Sequence, residues 1–150
     1  FNKNTDALLY LASRSEHIEK LIAPSLKQKK IVICDRFIDS TRAYQICTQM
    51  VNKNMIEIVH KEILRNIKPD LTFLLKLNLK DSLKRISIRK SKNRYDKLKS
   101  RFYEKVQKSY LKLAKKIKRK YVIIDTSKDI KTCENLIYKK FLKFYNNGKI

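Results

Sequence analysis

The side chains best suited to chemistry lie between positions 34 and 45, where the chain reads CDRFIDSTRAYQ. After a short apolar run, this stretch supplies a carboxylate, a guanidinium, two hydroxyls, a phenol and an amide. Such a set suits an anionic small ligand that also forms hydrogen bonds. Arg36 offers a planar fork of donors that matches phosphate oxygens, and Asp35 can hold Mg²⁺ directly or through water. The alternative is a loop whose polar groups only cap a helix and pair with one another.

The elements around this stretch predict how it is positioned. Residues 31–34 form a short β-branched run that predicts a buried parallel strand with Asp35 and Arg36 at its carboxyl end, which is where open α/β sheets bind ligands. Further strands are predicted over 71–77 and 121–125. Hydrophobic spacing predicts six helices around these strands. The first covers 5–22, is capped by Thr5 and Asp6 and ends at Pro24. The others cover 41–50, 54–66, a segment that begins at 80, 97–119 and 129–145. This order predicts an α/β fold over residues 1–150, a single domain whose three-layer parallel sheet has helices on both faces.

The composition excludes one kind of phosphate site and leaves several binding partners open. The chain has 150 residues and one glycine, Gly148, so no glycine-rich phosphate loop lies within it. Its net charge is +23, and residues 76–120 hold 19 Lys and Arg against 3 Asp and Glu. That segment can bind nucleic acid, hold nucleotide phosphates, or be a lysine-coated helix pair that reflects an AT-rich genome.

Other residue types point away from several protein classes. Three cysteines with no metal-binding or paired spacing favour a reducing cytoplasm. No apolar run reaches the roughly 18 residues of a membrane span. We assign no chemistry to His17 or His60, which we expect to be surface or core residues.

Several motifs in order resemble one family. Asp35-Arg36-Phe37, followed by Ser40-Thr41 and Ala43-Tyr44-Gln45, closely resembles the signature of bacterial thymidylate kinases. Similar motifs cover most of the chain: Ala7 to Arg14, Ile22 to Leu26, Lys68 to Thr72, Leu83 to Arg85, Asn93 to Asp96, Tyr110 to Ala114 and Ile124 to Ser127. The resemblance implies a nucleoside monophosphate kinase fold of the P-loop NTPase type. It also implies a cytoplasmic homodimer that transfers the γ-phosphoryl group of ATP to dTMP with Mg²⁺, giving dTDP.

The resemblance also implies roles for particular residues. For dTMP, it implies that Tyr10 stacks on thymine, Arg14 reaches a base oxygen, Arg36 holds the phosphate, Thr41 and Gln45 bond near the base, and Tyr44 lies against the sugar. Asp35 would lie near the magnesium and the phosphates. Arg89 and Arg94, in a lid at about 87–97, would fold over the transferring phosphoryl group, with Arg85 assisting or forming a surface ion pair. Asp125 and Thr126 would lie beside the adenine of ATP.

Three departures from the family pattern matter. The lid has Lys90, Lys92 and Lys97 beside its arginines, so the sequence leaves open which cation contacts phosphate. Residues 46–50 lack the glycines and arginine that follow the signature in the family, and the P-loop with the first two strands is missing from the chain. In the resembled fold the P-loop strand lies between the strands over 31–35 and 71–77. We therefore expect these two strands to flank a gap, and we expect the 150 residues alone to be inactive. A basic nucleic-acid-binding protein, which we consider less well supported, and a related kinase with another base preference remain as alternatives.

Overall fold

A computed structural model describes residues 1–91, 95–117 and 120–148 of the chain. The chain divides into two compact units, Phe1–Lys68 and Pro69–Ile150. The first unit is helical. Its elements are α1 (Lys3–His17), a first π-helical turn (Ile18–Ile22), α2 (Ala23–Lys27), α3 (Ile38–Thr41), a second π-helical turn (Arg42–Ile46) and α4 (Lys53–Leu64).

The start and end of the first helix differ from the sequence prediction. Asn2, and not Thr5 or Asp6, caps α1, because its side chain accepts the backbone N–H groups of Asn4 and Thr5 at 3.0 and 2.9 Å. Asp6 is instead buried. Pro24 does not end the helical run: the π-helical turn shifts the hydrogen-bond pattern, and Pro24 falls in the first turn of α2, where its missing N–H is not needed.

Two apolar clusters hold α1 and the turn after it. Ala7 and Leu11 of α1 pack with Val51 and with Ile56 of α4. The second cluster joins Ile18 and Ile22 to Leu64, with Val32 and Phe37 packed against it. Burial of side chains of this size contributes about 1.5–3 kcal/mol each. The clusters therefore fix the side of α1 that carries the polar residues of the site.

Residues 31–34 do not form the predicted strand. They have no strand partner in the described part of the chain, and Ile33 is 92% exposed. A strand exists only through hydrogen bonds to a neighbour, so a β-branched run without one remains irregular. The prediction of a buried strand here was wrong, and only the side chain of Val32 joins the core.

The second unit contains the sheet. Its elements are β1 (Thr72–Lys76), α5 (Leu79–Ser87), a 3₁₀ turn (Tyr95–Lys97), α6 (Ser100–Lys116), β2 (Tyr121–Asp125) and α7 (Ile130–Asn146). The strands pair in parallel, with Thr72 opposite Tyr121 and Lys76 opposite Asp125. Parallel neighbours need a long crossover, which α5 and α6 supply. Helices alternating with parallel strands confirm the predicted α/β class, and the sheet of the described residues has two strands where three were predicted.

Within the described ranges, no helix has the length and apolarity needed to cross a membrane. Cys34, Cys47 and Cys133 form no disulfide with one another. Burial raises the pKa of the Cys34 thiol, so this residue is not an activated nucleophile.

Candidate nucleotide site

A cleft of about 170 Å³ in the first unit brings together three of the residues singled out from the sequence. Tyr10 and Arg14 lie one turn apart on α1, and Arg36 comes from the loop before α3. The full lining is Tyr10, Ser13, Arg14, His17, Arg36 and Phe37. The rings of Tyr10 and Phe37 and the guanidinium groups of Arg14 and Arg36 therefore share a small polar cleft, which suits a planar ring that carries an anionic group.

Arg14 is held in place by contacts from three directions. Its Nη1 donates to Oγ1 of Thr41 at 3.0 Å and lies 3.5 Å from Nε2 of His60. Its guanidinium carbon is 5.3 Å from the centre of the Phe37 ring, within the range of a cation–π contact. The guanidinium is thus oriented before any ligand arrives.

The Asp35-Arg36 pair occupies an unusual backbone position. Arg36 has φ +61°, a left-handed conformation that costs a non-glycine residue free energy and recurs at ligand sites. Its guanidinium carbon is 5.5 Å from the centre of the Tyr44 ring. Both Asp35 and Arg36 are exposed. Arg36 lines the cleft, and Asp35 precedes it in the chain.

Thr41 and Gln45 are buried beneath this surface. Thr41 is 1% exposed and Gln45 is 2% exposed, and neither lines the cleft. Gln45 donates from Nε2 to Oδ2 of Asp6 at 3.3 Å, as does Gln49. In this geometry Thr41 acts on the cleft through Arg14, and the direct base contact implied for Thr41 and Gln45 stays a prediction.

An ion pair fixes the π-helical turn that carries Tyr44 and Gln45. Arg42 donates from Nε and Nη2 to the two carboxylate oxygens of Glu57 on α4, at 2.8 and 2.7 Å, and its Nη1 lies 3.5 Å from Asp39. The hydrogen bond to Arg42 lowers the pKa of Glu57, and that to Glu57 raises the pKa of Arg42. Short π-helical turns often occur at functional sites, and this one follows the signature loop.

The second unit brings its own predicted residues to one edge of the sheet. Asp125 and Lys76 end the two parallel strands side by side. The N–H and hydroxyl of Thr126 both donate to the Lys76 carbonyl, at 2.8 and 3.0 Å. Arg85 on α5 donates to the Thr126 carbonyl at 2.9 Å. A hydrogen bond from the Ser127 N–H lowers the pKa of Asp125. The loop after β2 is therefore tied to both β1 and α5.

The lid predicted from the resemblance is described only in part. Nη1 of Arg89 lies 3.5 Å from Oδ1 of Asp96, whose side chain is 5% exposed. The Tyr103 hydroxyl donates to the carbonyl of Tyr95 at 2.6 Å, which ties the 3₁₀ turn to α6. Arg94, the other lid arginine, lies outside the described residues.

The sequence implies Asp35 as a ligand for Mg²⁺, directly or through water. Among the described residues no group of three or more His, Cys, Asp or Glu side chains could hold a metal ion. Mg²⁺ bound with a nucleotide takes most of its ligands from phosphates and water and needs only one or two carboxylates. The single exposed carboxylate of Asp35 fits that second kind of site.

Sequence reasoning gave no site role to Phe37 and His17, which line the cleft, to His60, which contacts Arg14, or to Asp6, which accepts from Gln45. His60 was assigned no chemistry, yet it contacts Arg14. A usable signal existed, because His60 follows Ile56 by four residues and precedes Leu64 by four, which places it on the buried face of α4. Asp6 gave no such signal, since an acid in the first turn of a helix is usually solvated.

Comparisons with known proteins agree with this arrangement. A solved thymidylate kinase from Ehrlichia chaffeensis superimposes with a TM-score of 0.72 at 28% identity, covering 94% of this chain and 67% of that one. The fold is therefore that of the nucleoside monophosphate kinases of the P-loop type, as predicted.

The sequence comparisons narrow the class further. The family profile for thymidylate kinase matches residues 1–137. The thymidylate kinase of Mycoplasma capricolum is 40% identical over 141 residues, which are 93% of this chain and 66% of the relative. That of the aster yellows witches'-broom phytoplasma is 39% identical over 145 residues, 95% of this chain and 70% of the relative. The chain belongs to the thymidylate kinase family and spans about two thirds of the length of these relatives.

Proposed function

We propose that this chain supplies the nucleoside monophosphate site of a kinase that transfers the γ-phosphoryl group of ATP to dTMP, giving dTDP. The observation that carries the proposal is the cleft that joins Tyr10, Arg14 and Arg36 in the first unit. The names of the matched relatives supply the substrate class.

Each group in and around the cleft has a physical task in this proposal. The Tyr10 ring stacks on the thymine, and Arg14 donates to a base carbonyl oxygen. Arg36 binds the 5′-phosphate through its planar donors. The Tyr44 ring, already beneath Arg36, lies against the sugar and disfavours a 2′-hydroxyl. Thr41 and Gln45 keep Arg14 and the signature loop in position or bond near the base.

Phosphoryl transfer depends mainly on positioning and on charge neutralisation. In this proposal Asp35 would hold Mg²⁺ directly or through water, and the ion would supply positive charge beside the phosphates. Arg89 and Arg94 close over the transferring group; Arg89 lies 3.5 Å from Asp96 in the structure. Arg85 keeps the Asp125-Thr126 loop against β1, where that loop packs beside the adenine of ATP. Magnesium, ATP, a cytoplasmic location and a homodimer all belong to the proposal.

Calorimetric titration of dTMP into the chain tests the cleft. The wild-type chain should bind dTMP more tightly than dUMP, dCMP or thymidine. R36L should weaken dTMP at least tenfold, because a charge-assisted contact to phosphate is lost. R65L is the matched control, since Arg65 is exposed, pairs only weakly with Glu19 across 3.3 Å and lies outside the cleft lining. Equal losses in both variants, or no dTMP binding, would refute the proposal.

The 150 residues contain no glycine-rich phosphate loop, so we propose that they do not catalyse transfer by themselves. A coupled assay with ATP, dTMP and Mg²⁺ should detect no dTDP above the rate without protein. Measurable ATP-dependent dTDP formation by this chain would contradict this part of the proposal.

A further inference from the structure

His60 is an unusual residue in the centre of the first unit. It is 2% exposed, and it lies on the buried face of α4. Its Nε2 lies 3.5 Å from Nη1 of Arg14, and its Nδ1 is buried without a hydrogen-bond partner in the described part of the chain. A buried polar atom left without a hydrogen-bond partner destabilises the folded chain. We therefore expect the contact of His60 with Arg14 to offset this cost.

The contact with Arg14 determines which ring nitrogen carries the proton. A guanidinium group has only donors. An N–H at Nε2 would place two donors head to head, so Nε2 must present its lone pair and accept from Arg14. In a neutral ring the proton is then on Nδ1, the nitrogen without a partner. The ring is neutral because burial, followed by the positive charge of Arg14, lowers the pKa of His60 to about 4.

The same geometry connects His60 to the cleft. The two N–H groups of Arg14 Nη1 are directed to Thr41 at 3.0 Å and to His60 at 3.5 Å. The Phe37 ring covers the guanidinium at 5.3 Å. Arg14 lines the cleft and His60 does not. A change at His60 can therefore reach a bound ligand only through Arg14 or through the packing around it.

The charged groups around His60 are consistent with an acceptor at this position. Glu57 on the same helix raises the pKa of His60, whereas Arg14 from α1 and Arg42 from the second π-helical turn lower it. Glu57 is already engaged by Arg42 in two hydrogen bonds. Both oxygens of the Glu57 carboxylate therefore accept from Arg42, and the imidazole of His60 accepts from Arg14.

We propose that His60, as its Nδ1–H tautomer, is a positioning residue that orients Arg14 toward the nucleobase and so contributes to base recognition. The part that concerns the base rests on the proposed dTMP site. The contact with Arg14 and the tautomer do not depend on that site. A residue that acted only through core packing would affect every ligand of the cleft alike.

The tautomer is measured on the wild-type chain without ligand. The chain has two histidines, and H17Q assigns their signals in a long-range ¹H–¹⁵N spectrum at pH 7. His60 should show a protonated Nδ1 and an unprotonated Nε2. A protonated Nε2 would overturn the proposal.

The effect on recognition is measured by titrating dTMP and, separately, 2-deoxyribose 5-phosphate, which has no base. H60L should weaken dTMP about fivefold, the loss of one ordinary hydrogen bond, and change the base-free ligand less than twofold. H60Q, whose Oε1 can replace Nε2 as acceptor, should keep dTMP binding within twofold of wild type. If H60L does not fold, the tautomer measurement on the wild-type chain and the dTMP titration of H60Q still test the proposal.

The outcomes separate this inference from the function on which it rests. Equal weakening of both ligands in H60L, or failure of H60Q to retain dTMP, would overturn the positioning role. If the wild-type chain does not bind dTMP, the proposed function fails and the nucleobase role fails with it. The tautomer measurement then still supports or overturns the contact between His60 and Arg14.

Discussion

The ion pair between Arg42 and Glu57 gives a prediction whose size follows from the structure. Glu57 accepts two short hydrogen bonds from Arg42, and their side chains are 33% and 26% exposed. In E57Q one oxygen still accepts, while the new NH₂ group faces an N–H of Arg42. The positive charge of Arg42 then keeps only Asp39 at 3.5 Å.

The expected cost lies between two known limits. Exposed ion pairs contribute about 0.2–1 kcal/mol, and breaking a fully buried pair costs about 3–5 kcal/mol. A pair that is about one third exposed or less should fall between them, so we expect E57Q to lower the free energy of unfolding by about 2 kcal/mol. For a chain of this length that corresponds to a fall in Tm of about 4–8 °C.

The measurement is urea and thermal unfolding at pH 7, followed by circular dichroism. E16Q is the matched control, because Glu16 pairs with Lys20 on the same unit with side chains 66% and 77% exposed, and its loss should change stability by less than about 0.5 kcal/mol. The pKa of Glu57 is lowered on folding from its ordinary value of 4.5. The stabilisation that the ion pair supplies is therefore fully present above pH 4.5, and it is lost as the pH falls through the pKa of Glu57 in the folded chain. The gap between wild type and E57Q should therefore narrow in acid. A cost at pH 7 no larger than that of E16Q would refute the reasoning.

Three further predictions concern other residues. D6A should destabilise the chain by about 2 kcal/mol in urea unfolding, because the buried amide of Gln45 and the half-buried amide of Gln49 lose their acceptor. D6N should cost clearly less, and equal costs would contradict this. The pKa of His60 falls from 6.5 to about 4 on folding, so the unfolded chain gains a proton first as the pH drops, and wild type should lose up to about 3 kcal/mol of stability between pH 6.5 and 4. H60Q should lack that loss, and parallel pH profiles of the two proteins would be inconsistent with a buried neutral ring. I33K should change the free energy of unfolding of the 150-residue chain by less than about 0.5 kcal/mol, because Ile33 is 92% exposed, and a larger loss would show that this side chain is packed.

Much of the fold could be predicted from the sequence, and the exceptions share a cause. Apolar periodicity placed α4 through α7 and both strands to within a few residues, because those elements bury a continuous stripe or run. Residues 31–34 have an equally strong β-branched pattern and form no strand, because a strand depends on a neighbour that local sequence does not specify. Pro24 also failed as a helix end, because a π-helical turn let the helical run continue past it.

The sequence by itself determined the family and most of the polar groups of the site. The signature Asp35 to Gln45, with Tyr10 and Arg14 upstream, was sufficient for that, because residue type and short-range spacing identify such motifs. Only the tertiary structure decided which groups face the cleft and which support it from below. Thr41, Gln45 and His60 are buried; Thr41 and His60 contact Arg14, and Gln45 donates to Asp6. These contacts join residues 27 to 46 positions apart, and separations of that size are set by how helices pack and not by any local pattern.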